Sequence, residues 1–237
     1  MTDIISEVRT QLRSSVDIKT KKNSQRFFKE KIDFYGVRVP VVKEISKKSF
    51  AKIKELDKTE IFGLIEILWK SGIIEESFVA CEWTYALRKN FLPGDFKIFK
   101  NWIENYVNNW ASCDTFCNHS MGTFIQMYPD FLDELKKFTE SKNRWMRRAS
   151  SVSLIVPARK GLFLNTIFEI ADRLLADNDD LVQKGYGWML KAASQAHQSE
   201  VFNYVMQNRL AIPRTSLRYA IEKMPPELKQ KAMNKAG

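Results

Sequence analysis

Apolar residues recur at helical spacing along almost the whole chain, and no stretch alternates apolar and polar residues long enough to demand a strand. Ile61, Leu64, Ile65, Leu68 and Trp69 fall at i, i+3, i+4, i+7 and i+8, which puts them on one face of a helix bounded by Asp57 and Ser71. Similar stripes run through residues 75–90, 95–107, 130–140 and 163–176. The breaks carry helix punctuation: Pro93-Gly94, Pro129-Asp130, Asp177-Asn178-Asp179 and Ile212-Pro213 each stop one helix or cap the next. Only 9 Gly and 7 Pro occur among 237 residues, which suits helices and argues against a turn-rich β fold.

Aligning the second helix of each pair brings Val79, Asp114, Arg148 and Lys184 into register at intervals of about 35 residues. A helix–turn–helix unit of that period defines an all-α solenoid of antiparallel helix pairs. We therefore expect a single domain over residues 1–237, with an N-terminal cap at about 1–55, repeats at 56–212 and a C-terminal cap at 213–237. Equivalent helices of a solenoid stack side by side, so Asp114, Arg148 and Lys184 are expected to face one concave groove.

The 38 Lys and Arg outnumber the 28 Asp and Glu, which leaves a formal charge of +10 and a pI near 9.4. That balance excludes an acidic or neutral binder and makes the groove basic. Three cysteines, Cys81, Cys113 and Cys117, include no CxxC pair, so a reducing cytoplasm and no disulfide are expected. Residues 1–12 carry Asp3, Glu7 and Arg9 within their apolar pattern, unlike a secretory signal. Uncharged runs such as residues 162–167 are far too short to span a bilayer. No phosphate loop or dinucleotide fingerprint appears, and His119 and His197 are far apart, so neither cofactor nor metal is expected. The default is a cytosolic monomer.

Trp110 and Asp114 are four residues apart, which places indole and carboxylate on one face of a helix. The third repeat brings Trp145, Arg147 and Arg148, and the fourth brings Lys184, Tyr186 and Trp188. Aromatic rings and an acid among bases suit a surface that grips a phosphate backbone and stacks on something flat. Spacing alone leaves other readings open: each Trp as core, Asp114 as a cap or half of an ion pair, and Arg147-Arg148 as a solvated face. Gly185 and Gly187 inside a helix point to close packing or to close approach of another backbone. The segment 17–31 is dense in bases, with Lys19, Lys21, Lys22, Arg26, Lys29 and Lys31, and is either a solvated face or a DNA-backbone contact.

At these residues the sequence resembles the AlkD-type DNA alkylation repair glycosylases, helical proteins built from HEAT-like repeats. The resemblance spans nearly the whole chain, through Phe34-Tyr-Gly-Val-Arg-Val-Pro40, Trp110-Ala-Ser-Cys-Asp114, Trp145-Met-Arg-Arg148-Ala and Val182-Gln-Lys-Gly-Tyr-Gly-Trp188. It implies removal of cationic N3-methyladenine and N7-methylguanine from double-stranded DNA by cleavage of the N-glycosidic bond. It carries the catalytic carboxylate to Asp114, two groove tryptophans to Trp110 and Trp188, and a groove arginine to Arg148. We assign Arg148, and with it Arg147, Lys184 and Trp145, to DNA contact. Asp180-Leu181 is less apolar than the family pattern, and Cys113 receives no role. The alternative is a non-catalytic binder of branched or distorted DNA, since the wider superfamily contains members that kept the fold without the activity.

Overall fold

A computed structural model of the chain describes residues 2–234 and, among them, every regular element is helical; an isolated parallel bridge joins Asp33 to Ile73. Met1 and residues 235–237, the outer ends of the two expected caps, lie outside the described residues. The chain divides into two compact units, Met1–Phe116 and Cys117–Gly237. The first holds α1 (Thr2–Ser14), α2 (Ile18–Ser24), α3 (Val39–Ile53), α4 (Lys58–Lys70), α5 (Ile74–Ala86), α6 (Asp95–Asn105) and α7 (Trp110–Phe116). The second opens with a π-helical turn, Cys117–Met121. It continues with α8 (Gly122–Met127), α9 (Leu132–Lys137), α10 (Arg144–Val152), α11 (Ile155–Arg159), α12 (Leu164–Leu174), α13 (Asp180–Ala193), α14 (Gln198–Asn208), α15 (Arg214–Ala220) and α16 (Pro226–Met233).

The apolar stripe read in the sequence is the buried face of α4, and all five of its residues are at most 3% exposed. A capping box starts the helix: Asp57 accepts from Thr59 N at 2.8 Å, and Glu60 reaches back to Asp57 N at 3.2 Å. Beyond Ser71 the chain reverses through Gly72, whose φ of +71° favours glycine. The core of this unit is aromatic. Phe99 lies with its ring centroid 5.0 to 6.1 Å from those of Phe62, Phe91, Trp102 and Phe116, and Trp69 meets Phe116 edge-on at 5.7 Å. Each such pair contributes about 0.5–1.5 kcal/mol beyond its area burial. Trp83 Nε1 donates to Ser46 O at 3.1 Å and ties α5 to α3.

In the second unit, α13 is packed between α10 and α15, and its two glycines make that possible. A Cβ on Gly185 would lie 2.9 Å from Ser151 Oγ, and one on Gly187 would lie 2.8 Å from Tyr219 Cβ and 2.9 Å from Ser216 O. Ser216 Oγ donates to Gln183 O at 2.9 Å across the interface of α13 with α15. Val79, Asp114, Arg148 and Lys184 lie on α5, α7, α10 and α13, each the second helix of its pair. Within the units α5 packs on α7 and α10 on α13, an all-α arrangement of helix pairs consistent with a solenoid-like fold.

The stripe at 130–140 departs from the sequence reading. Only α9 is α-helical there, flanked by 3-10 turns at Pro129–Phe131 and Phe138–Glu140. Thr139 Oγ1 donates to Lys136 O at 2.7 Å, and this local side-chain bond accompanies the tightening of the last turn. Among the described residues no helix is long and apolar enough to cross a membrane.

Candidate nucleic-acid interface

Asn109 is fully buried and caps α7: its Oδ1 accepts from Ser112 N at 2.9 Å, while its Nδ2 donates to Ser112 Oγ at 3.0 Å. Cys113 and Phe116 point into the core, and Cys81 Sγ approaches Ser112 O at 3.9 Å from α5. Cys113, without a role in the sequence reading, is thus a core filler beneath the site. Its helix neighbours Trp110 and Asp114 lie one turn apart and are both half-buried. The structure brings these two together on an element anchored from below and from α5.

The basic segment 17–31 meets Trp110. The Trp110 Nε1 donates to Phe27 O at 3.2 Å, and the indole stacks on Phe28 with centroids 5.6 Å apart and planes at 27°. Neither α2 nor the 3-10 turn Gln25–Phe27 buries a residue, and Lys19, Lys21, Lys22, Arg26, Lys29 and Lys31 are all exposed. Phe27, 72% exposed, completes a strip of rings and bases. Sequence reasoning marked the bases but passed over Phe27-Phe28. Their interleaving with six cations is the signal that could have found them.

Two consecutive acids hold the root of this segment. Glu75, in the first turn of α5 and 3% exposed, accepts from Gly36 N at 2.7 Å, Val37 N at 3.0 Å and Tyr35 N at 3.0 Å. Fully buried Glu76 accepts from Tyr35 Oη at 2.6 Å and from Arg9 Nη2 at 3.0 Å. Buried carboxylates need such complete pairing, and the start of a helix favours negative charge. Burial, and then the bond to Glu76, push the Tyr35 phenol up to about 12. Gly36 O in turn accepts from Asp17 N at 2.9 Å, and Gly36 is required there, with φ +96° and Lys21 Cβ only 2.5 Å from where its Cβ would stand. In sequence, Glu75-Glu76 reads as an ordinary acidic first turn, so nothing local announced the clamp.

The remaining predicted residues lie in the second unit. Trp145, on α10, is 7% exposed, and the Arg144 guanidinium sits 5.8 Å from its ring centroid while pairing with Asp179 at 2.7 Å. Arg147 Nε donates to Asp177 at 2.6 Å and its Nη1 to Ser141 O at 2.9 Å. Arg148 is 5% exposed and donates through Nη1 to the carbonyl of Leu181, so the unusual Asp180-Leu181 pair serves through its backbone. Lys184 pairs with Asp180 at 3.1 Å on α13. Trp188, one turn further on, is half-buried, and no ring or hydrogen-bond partner for its indole occurs among the described residues. Among the described residues no group of three or more His, Cys, Asp or Glu could hold a metal ion.

A family model described as DNA alkylation repair enzyme matches residues 8–224. One solved structure, described as a predicted DNA alkylation repair enzyme from Enterococcus faecalis, superposes with a TM-score of 0.80 over 90% of this chain and 98% of that one. At 17% identity that likeness is one of fold. A search of curated proteins finds no match.

Proposed function

The chain belongs to the DNA alkylation repair enzyme family, and from that premise we propose that it is a glycosylase releasing cationic N3-methyladenine and N7-methylguanine from duplex DNA. Membership itself carries DNA binding and a general DNA-repair enzyme role. The observation that supports the specific chemistry is the pairing of half-buried Trp110 and Asp114 one turn apart on the anchored α7.

Alkylation at N3 or N7 leaves the purine positively charged, so it departs readily once the bond from C1′ to nitrogen stretches. The sugar then acquires oxocarbenium character, which a fixed carboxylate stabilises without reorganising at the moment of reaction. Asp114 supplies that charge and aligns a water for attack at C1′. Trp110 excludes bulk water and adds its negative ring face, which strengthens the carboxylate's effect. In this reading the basic repeat face expected from the sequence is the duplex-binding surface. Lys184 with Arg147 and Arg148 takes the flanking phosphates, Trp188 stacks on the backbone, and Trp145 supports α10 from within.

The test compares release of N7-methylguanine from methylated duplex by the native protein and by Asp114→Asn. The isosteric variant is expected to bind DNA as before and lose about 100-fold or more in release rate. Equal release by the two would remove Asp114 from the mechanism. Absence of release by either, with retained binding to junction or bulged DNA, would replace catalysis by structure-selective binding.

A further inference from the structure

We infer that Phe28 is an intramolecular cap on Trp110, one that nucleic acid must displace before the indole can stack on a sugar. This rests on the reading that Trp110 faces DNA. The cap holds the same side chain in two ways: the Phe28 ring lies against the indole at 5.6 Å, and Phe27 O takes the indole N–H at 3.2 Å. A ligand stacking on the face of Trp110 covered by Phe28 competes with that ring for one surface.

The segment carrying the cap is built to open. Its two roots are fixed: Asp17 N donates to Gly36 O at 2.9 Å at one end, and at the other Ile32 is 4% exposed while Asp33 O accepts from Ile74 N at 3.0 Å. Between the roots, α2 and the 3-10 turn bury nothing. Lifting residues 18–31 therefore exposes little apolar surface and leaves the core of the unit intact. The bases on the same segment, Lys19, Lys21, Lys22, Arg26, Lys29 and Lys31, are exposed and would follow phosphates once it lifts. Binding energy from those charges thus offsets the separation of the two rings, so opening of the cap is coupled to the presence of DNA.

The experiment measures anisotropy of a labelled duplex carrying a central abasic-site analogue, a probe that presents an unstacked sugar and has no base to release. Phe28→Ala is expected to bind about 2- to 12-fold tighter than the native protein, the value of one aromatic pair. Phe28→Tyr, which keeps the ring, is expected to bind as the native protein does. On a Trp110→Ala background, Phe28→Ala is expected to bring no gain. Equal or weaker binding by Phe28→Ala, or a gain that persists without Trp110, overturns the cap. Base release from methylated duplex, run in parallel, reports separately on the glycosylase reading: the cap stands if affinity shifts without any release, and falls if release occurs while affinity does not shift.

Discussion

Tyr35 donates its hydroxyl to fully buried Glu76, and burial followed by that bond raises the phenol from 10.0 to about 12. A raised pKa means the fold favours the neutral phenol. Its contribution is complete below the unfolded pKa near 10 and is lost as pH rises toward 12. The native chain is therefore expected to lose stability across that window more steeply than Tyr35→Phe, which cannot ionise. Urea titrations at pH 9 and pH 11 check this, and equal losses would show that Tyr35 ionises freely. Cys81, Cys113 and Cys117 are buried thiols, so a thiol reagent is expected to label none of them in the native protein and all after unfolding. At this scale the sequence could not rank its tryptophans, since Trp145 and Trp188 share residue type and helical context. Burial separates them, with Trp145 in the core and Trp188 half-exposed.

Elements whose signals are local were legible. The limits read for α4, Asp57 and Ser71, are its two caps, because a capping box and an apolar stripe lie wholly within the helix and its first turn. Asp57→Ala is accordingly expected to cost about 1 kcal/mol of stability. The break-up of 130–140 was not legible, because short 3-10 turns and the helix between them share the same apolar spacing. Glycines inside helices divide by what stands opposite. Among the described residues nothing lies within 4 Å of where a Cβ on Gly63 would stand, so Gly63→Ala is expected to stabilise α4 by up to about 1 kcal/mol. Gly187 faces Ser216 backbone at 2.9 Å, and Gly187→Ala is expected to cost about 1–3 kcal/mol by forcing α13 from α15. Denaturation midpoints of the two variants should move in opposite directions.

For the molecule as a whole, the charge of +10 sets the form of its encounter with a polyanion. Affinity for duplex DNA is expected to fall linearly on a log–log plot against salt. Replacing Lys22 and Arg26 by Ala should reduce the slope by about 0.9 for each phosphate left without its cation. An unchanged slope would place the segment 17–31 off the DNA. The amino-acid sequence determined by itself that the chain is helical, where its best helices start and stop, which family it joins and that Trp110 and Asp114 share one helix face. These follow from spacings within a few turns or from motifs in order along the chain. Only the tertiary structure decided that Phe28 covers Trp110, that Glu75 grips the backbone of residues 35–37, that Asp177 holds Arg147 and that Trp145 is core. Phe27 and Trp110 are 83 residues apart, and Glu75 and Gly36 are 39 apart. Pairings over such separations depend on which surfaces packing brings together, and a local period of 3.6 residues carries no record of them.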